Sequence, residues 1–282
     1  MVDDHPILLR ARKLTRQISP SAQVADLSLT LRQGDVLGLL GLNGAGKSTT
    51  LKMLSGILVP DSGDIEIGGH SLADHPLKAR AQLGYLPDTP PLYPDMKVAA
   101  YLKLAAQLRR VPKKQLKASI EYAIDTCDLG SVTQHRIAAL SKGFRQRVGL
   151  AQAIIHRPRL ILLDEPSNGL DPHQMQSMRQ LIKSLGEEAA VIFSTHLLPE
   201  AVAVCNHIAV MHGGRIVASE LPSEPSDIAD ERATTLANDV QPLKRDELDT
   251  LFANLVQFGT PKAPVSTLNK SDTKTKRDFM GA

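Results

Sequence analysis

The residues best placed to do chemistry begin with Gly41-Leu42-Asn43-Gly44-Ala45-Gly46-Lys47-Ser48-Thr49. Glycines at this spacing let successive backbone N–H groups turn toward one anion. In the pattern GxxxxGK[ST] the lysine reaches the β- and γ-phosphates and the hydroxyl ligates Mg²⁺. The stretch predicts a cradle for a nucleoside triphosphate. Chance would place such a string in roughly 1% of chains this long. Ile161-Leu162-Leu163-Asp164-Glu165 is an apolar run ending in two acids. Alone it is an ordinary strand with a solvated end. Downstream of a phosphate loop, Asp164 is placed to hold a Mg²⁺ shell and Glu165 to polarise an attacking water. Leu140-Ser141-Lys142-Gly143-Phe144-Arg145-Gln146-Arg147 offers a second anion site. Ser141 reads as an N-cap, and the free N–H groups there sit at the positive end of the helix dipole. In isolation it would be plain capping.

Several elements must position these groups. Val36–Leu40 predicts a buried strand before the loop, and Lys47–Leu54 the helix after it. Ile7–Leu14, Val24–Leu31, Asp64–Ile67 and Leu83–Leu86 read as strands. A Pro-rich loop follows, with Pro87, Pro90, Pro91 and Pro94. From Val98 to Leu129 the apolar spacing is helical. Its outer faces carry Lys97, Lys103, Arg109, Arg110, Lys113, Lys114 and Lys117, either a solvated surface or a docking face for another subunit. Ser141–Ile155, Gln174–Leu185 and Pro199–Cys205 predict helices. Leu160–Leu163 and Val191–Ser194 predict buried strands, and Ile208–Met211 with Arg215–Val217 a closing hairpin. Strands alternating with helices predict an α/β domain with a largely parallel sheet, and the strand-rich start an added antiparallel layer. His196 ends a buried strand at the edge shared by Asp164 and Glu165. His5, His70, His75, His135, His156, His173, His207 and His212 read as surface residues. Pro222 to Ser226 marks a linker, Asp246–Leu255 a possible helix, and Gly259–Ala282 a polar, basic tail expected to be disordered.

The totals narrow the function classes. The chain has 282 residues, 42% of them apolar, enough for one sizeable core. Aromatics are 3% and Trp is absent, against a stacking platform for nucleic acid. A net charge of +3 demands neither nucleic acid nor lipid. Cys127 and Cys205 read as reduced core residues, with no zinc or disulfide pattern. No apolar run approaches the roughly 20 residues that span a bilayer. Met1 to Pro6 lacks signal-peptide features. A cytosolic protein is expected, with any membrane role supplied by a separate subunit.

Taken in order, these motifs resemble the ATP-binding-cassette (ABC) ATPases. The family signature LSGGQ corresponds to Leu140-Ser141-Lys142-Gly143-Phe144, which departs at two of five positions but retains Ser141 and Gly143. Ser167-Asn168-Gly169-Leu170-Asp171 resembles the D-loop, and Ser194-Thr195-His196 the strand end with the switch histidine. Gly84-Tyr85-Leu86-Pro87-Asp88 aligns with the Q-loop, Asp88 standing where Gln is usual. Gly84–Met96 and the LSKGFRQR form resemble most the ATPases of ABC-2-type exporters, the gliding-motility-type subgroup in particular. The resemblance covers about residues 7–220. It implies a P-loop NTPase fold with the ABC-type antiparallel β layer and a helical subdomain inserted at about 88–155. It implies ATP and Mg²⁺ as ligands, with Ser48, Asp88 and Asp164 at the metal. Glu165 would be the base, His196 the γ-phosphate contact, and Lys47 with Gly41 to Thr49 the phosphate cradle. Ser141, Lys142, Gly143 and Asp171 would serve a second copy, so two ATP lie between two head-to-tail chains. The partner would be an ABC-2-type transmembrane subunit, and the protein peripheral on the inner membrane face. The alternative is a soluble ABC-type ATPase acting on nucleic acid or ribosomes. The family stacks adenine on an N-terminal aromatic, but Met1 to Lys47 holds none. Ile18 stands near that place, with Arg12 or Arg16 as cation–π substitutes.

Overall fold

The computed structural model describes residues 5–19, 22–220, 242–243 and 245–258. The chain opens with β1 (Ile7–Ser19), β2 (Ala22–Arg32), β3 (Val36–Leu40) and α1 (Lys47–Leu54). Next come β4 (Ser62–Ile67), β5 (His70–Ser71), α2 (Pro76–Ala81) and β6 (Leu83–Leu86). Three helices follow: α3 (Val98–Leu108), α4 (Leu116–Thr126) and α5 (Lys142–Ile154). The chain then returns through β7 (Leu160–Asp164), α6 (Pro172–Glu188), β8 (Ala190–Thr195) and α7 (Leu198–Val204). It closes with β9 (His207–His212), β10 (Arg215–Glu220), β11 (Pro242–Leu243) and α8 (Arg245–Phe258).

Continuous apolar runs belong to strands covered on both faces. Every residue of β3, β7 and β8 is buried. They lie centrally in a sheet ordered β11-β10-β9-β3-β8-β7-β6, where β9, β3, β8, β7 and β6 are mutually parallel. A second sheet, β2-β1-β4-β5, is antiparallel throughout. Its inward side chains, including Leu9, Leu14, Leu29 and Leu31, meet α1 and one face of the central sheet. The other face is covered by α3 to α6 around Val148, Leu150, Ile182 and Phe193. The helical insertion thus enters and leaves through the neighbouring strands β6 and β7.

The helical pattern from Val98 to Leu129 resolves into two helices, α3 and α4. The break follows Leu108, where Arg110 takes a left-handed φ of 57° and Pro112 cannot continue the ladder. The short helix α2 was not anticipated. His156 and His207 are not surface residues. His156 Nε2 lies 3.1 Å from the Leu83 carbonyl, and burial, with the Arg109 guanidinium nearby, pushes its pKa down to about 4. His207 Nε2 is 3.4 Å from Asp35 Oδ1. Cys127 and Cys205 form no disulfide, and burial pushes the Cys127 thiol up to about 12, so it stays inert.

The expected C-terminal helix is present as α8. Leu248, Leu251, Phe252 and Leu255 repeat at helical spacing and are buried against Leu198, Ala201, Ile208 and Val210. Each such side chain contributes about 1.5–3 kcal/mol before its conformational entropy is counted. The linker expected after Ser219 and the tail from Gly259 lie outside the described residues.

Candidate active site

Strands β3, β7 and β8 end level with one another, since Leu40 pairs with Thr195 and Asp164 with Ser194. Each delivers one chemical group to that edge, where parallel sheets bind ligands. The groups surround a cavity of about 560 Å³ lined by Ile18, Gln23, Asn43 to Thr49, Asp88, Glu165, Asn168 and His196.

The loop after β3 depends on two glycines. Gly44 and Gly46 have φ of +83° and +106°, conformations L side chains rarely adopt. A β-carbon on Gly46 would also sit 3.2–3.3 Å from Met211, Val24 and Gly214. Gly46 then caps α1, whose free N–H groups face the cavity end of the loop. Lys47 is only 5% exposed. Its Nζ donates to the carbonyls of Gly41 (2.7 Å) and Leu42 (3.3 Å) and stands 3.2 Å from Glu165 Oε1. Removing one partner of such a buried pair leaves the other charge uncompensated, a cost of about 3–5 kcal/mol.

Asp164, 2% exposed, accepts at Oδ1 from Ser48 Oγ (2.9 Å) and Ser194 Oγ (2.7 Å). Ser194 Oγ in turn accepts from the Glu165 N–H at 2.9 Å. Glu165 itself has φ +47°, a strained conformation for a residue with a side chain. That turn aims its carboxylate into the cavity. One oxygen meets Lys47 and the other lies 2.9 Å from His196 Nδ1. Loop, acid pair and histidine therefore form one connected polar chain.

Asp88 also lines the cavity, and its Oδ1 accepts from Asn168 Nδ2 at 3.1 Å. Burial, then the charges of Asp164 and Asp88, push the Tyr85 phenol well above its ordinary range, so it stays protonated. Among the described residues no group of three His, Cys, Asp or Glu side chains is arranged to hold a metal. Mg²⁺ does not need one, because it keeps waters and takes one or two carboxylates plus phosphate oxygens. Ser48 and Asp164 fit that donor set.

Ser141, Lys142, Gly143 and Asp171 lie outside the cavity. Ser141 Oγ caps α5 by accepting from the Phe144 N–H at 3.3 Å. A β-carbon on Gly143 would meet Gln174 Oε1 at 2.5 Å, and the Lys142 side chain lies over Gly169. Asp171 caps α6, accepting from the Gln174 N–H at 2.9 Å. Ile18 lines the cavity and is 56% exposed. Neither arginine offered as a cation–π substitute lines this cavity: Arg16 is paired with Asp61 at 2.5 Å, and Arg12 lines a different groove with Arg10 and Lys13. Sequence reasoning missed Ser194 and Asn168 as site residues. Hydroxyls at the end of an otherwise apolar strand were the available signal for Ser194.

Comparison with known proteins gives consistent results. A family model described as "ABC transporter" matches residues 24–168. The chain is 32% identical over 271 residues to YhcH, an uncharacterized ABC transporter ATP-binding protein of Bacillus subtilis, covering 95% of this chain and 81% of that one. It is 32% identical over 249 residues to a Nod factor export ATP-binding protein I of Cupriavidus pinatubonensis, covering 88% and 75%. A solved structure of the ATP binding subunit of an ABC transporter superposes with a TM-score of 0.68 at 31% identity, covering 76% of this chain and 90% of that one.

Proposed function

The chain belongs to the ABC transporter family as an ATP-binding subunit with the family's α/β P-loop NTPase fold, and from that premise we propose that it drives export. It would hydrolyse Mg²⁺-ATP while docked on a separate ABC-2-type membrane subunit. One observation supports the hydrolysis above the others: Lys47, Glu165 and His196 form a continuous polar contact beside the Ser48–Asp164 bond. The export name of the Cupriavidus relative points the same way. Among the described residues no helix is long and apolar enough to cross a membrane, so the path for a substrate would come from a partner.

Each residue has a role in this proposal. The N–H groups of Gly44 to Ser48 and the Lys47 ammonium hold the phosphates. Ser48, Asp164 and Asp88 would hold Mg²⁺, which when bound neutralises phosphate charge as it develops. Glu165 accepts the proton of the attacking water. His196, held at Glu165, contacts the γ-phosphate. Ser141 and Gly143 complete the site of a second copy, and closure of the two chains around ATP is the stroke. The Pro-rich loop after Asp88 and the helices beyond it pass that motion to the membrane subunit.

The test is Glu165→Gln. It keeps shape and hydrogen bonding but removes the base, so kcat should fall about 10²–10⁴-fold while ATP binding persists. The same variant should trap an ATP-bound dimer on size exclusion. A near wild-type rate would show that Glu165 is not the base.

A further inference from the structure

Glu200 is a carboxylate with only 2% of its surface exposed. It belongs to no phosphate, metal or water contact described above. Its Oε2 accepts from the Thr195 hydroxyl at 2.6 Å. Its Oε1 is buried with no hydrogen-bond partner among the described residues. Burying a charged oxygen without a partner is unfavourable, and an apolar side chain would fill the same space without that cost. Packing alone therefore does not explain an acid here.

Its surroundings supply a reason. Thr195 is the last residue of β8 and is 1% exposed. Its hydroxyl does two things, donating to Glu200 and accepting from the Leu197 N–H at 3.1 Å. The Thr195 carbonyl accepts from the Gly41 N–H at 3.2 Å, tying the same residue to the start of the phosphate loop. The Glu200 N–H donates to the Leu197 carbonyl at 3.0 Å. The segment 195–200 is thus closed on itself by hydrogen bonds from both ends. His196 lies inside that closed segment, and its imidazole leaves it to meet Glu165.

We infer that Glu200 is a positioning residue for His196. Through the Thr195 hydroxyl it fixes the turn after β8, so the imidazole stays at the Glu165 carboxylate and the γ-phosphate side of the cavity. The inference rests on the reading of His196 given above. Glu200 does not line the cavity, and its effect passes through the turn.

The experiment measures kcat and KM for Mg²⁺-ATP in Glu200→Leu, Glu200→Gln and Thr195→Val, each alone and with His196→Ala. Glu200→Leu should lower kcat about tenfold or more with KM changed less than about twofold. Glu200→Gln keeps an acceptor oxygen for Thr195 and should recover most of that loss. With His196→Ala, Glu200→Leu should cost less than about a further twofold, because the group it positions is gone. Thr195→Val, nearly isosteric, should show the same dependence on His196 if Glu200→Leu does not fold. An equal loss from Glu200→Leu, or from Thr195→Val in its place, with and without His196 would overturn the inference. So would wild-type kcat in Glu200→Leu beside an impaired His196→Ala. Wild-type kcat in His196→Ala would overturn the reading of His196 itself, and this inference with it.

Discussion

Two regions of this molecule look alike in sequence and differ in space. Gly41 to Thr49 and Ser141 to Gly143 both place free N–H groups at a helix start. The first is enclosed: β7 and β8 bring Asp164, Glu165 and His196 against it, and Lys47 is buried among them. The second lies outside that cavity, with Ser141 capping α5 and Lys142 lying over Gly169. The first is a site that one chain assembles. Under the proposal above, the second is half a site that a second copy would complete.

The largest effects should come from breaking each half separately. Ser141→Arg should lower hydrolysis at least about 10²-fold, the scale of losing one donor to a developing charge, yet spare the initial binding of ATP. Lys47→Ala should remove both. A mixed dimer of the two variants keeps one intact composite site, so ATP-driven cross-linking between the chains should survive. Complete loss of cross-linking in that mixed dimer would mean the regions do not meet head to tail.

A smaller effect sharpens the enclosed half. Its phosphate side is built from backbone and charge, while its outer wall offers Ile18 and no aromatic ring. Native affinity should therefore discriminate weakly between ATP and GTP. Ile18→Tyr should tighten ATP by about tenfold, the low end of the roughly 1–3 kcal/mol of base–aromatic stacking. Titrations with a fluorescent nucleotide would check both; strong native preference with no response to Ile18→Tyr would place the base elsewhere.

A last effect, on stability rather than on nucleotide binding or hydrolysis, concerns the joint between the regions. His156, just past the α5 end opposite Ser141, meets the Leu83 carbonyl, and Arg109 Nη1 donates to the same oxygen at 3.3 Å. Burial, with the Arg109 charge nearby, holds its pKa at about 4 in the fold, below the ordinary 6.5 of histidine. The native state thus favours neutral imidazole. The stability this represents is full above pH 6.5 and is lost as pH falls toward 4. On the order of 3 kcal/mol is at stake. Denaturant midpoints between pH 7.5 and 4 should fall less steeply in His156→Gln than in the native chain. Parallel curves would mean His156 does not carry the dependence.

Much of this was legible in sequence, for a local reason. The phosphate loop, the Asp164-Glu165 strand end and the α8 stripe are contiguous patterns whose physics acts over a few residues. Unbroken apolar runs marked β3, β7 and β8 as doubly covered, so the C-terminal edge that collects the chemistry could be anticipated. The sequence could not decide pairings across many residues. Lys47 meeting Glu165, Ser194 holding Asp164, Asn168 donating to Asp88 and Arg16 turning aside to Asp61 all depend on sheet order and register. His156 carries no local sign of burial; its environment is made by β6 and α3, distant in the chain. Periodicity reports which face of an element is apolar. Only the packed structure decides which face meets which, and there the buried charges find their partners.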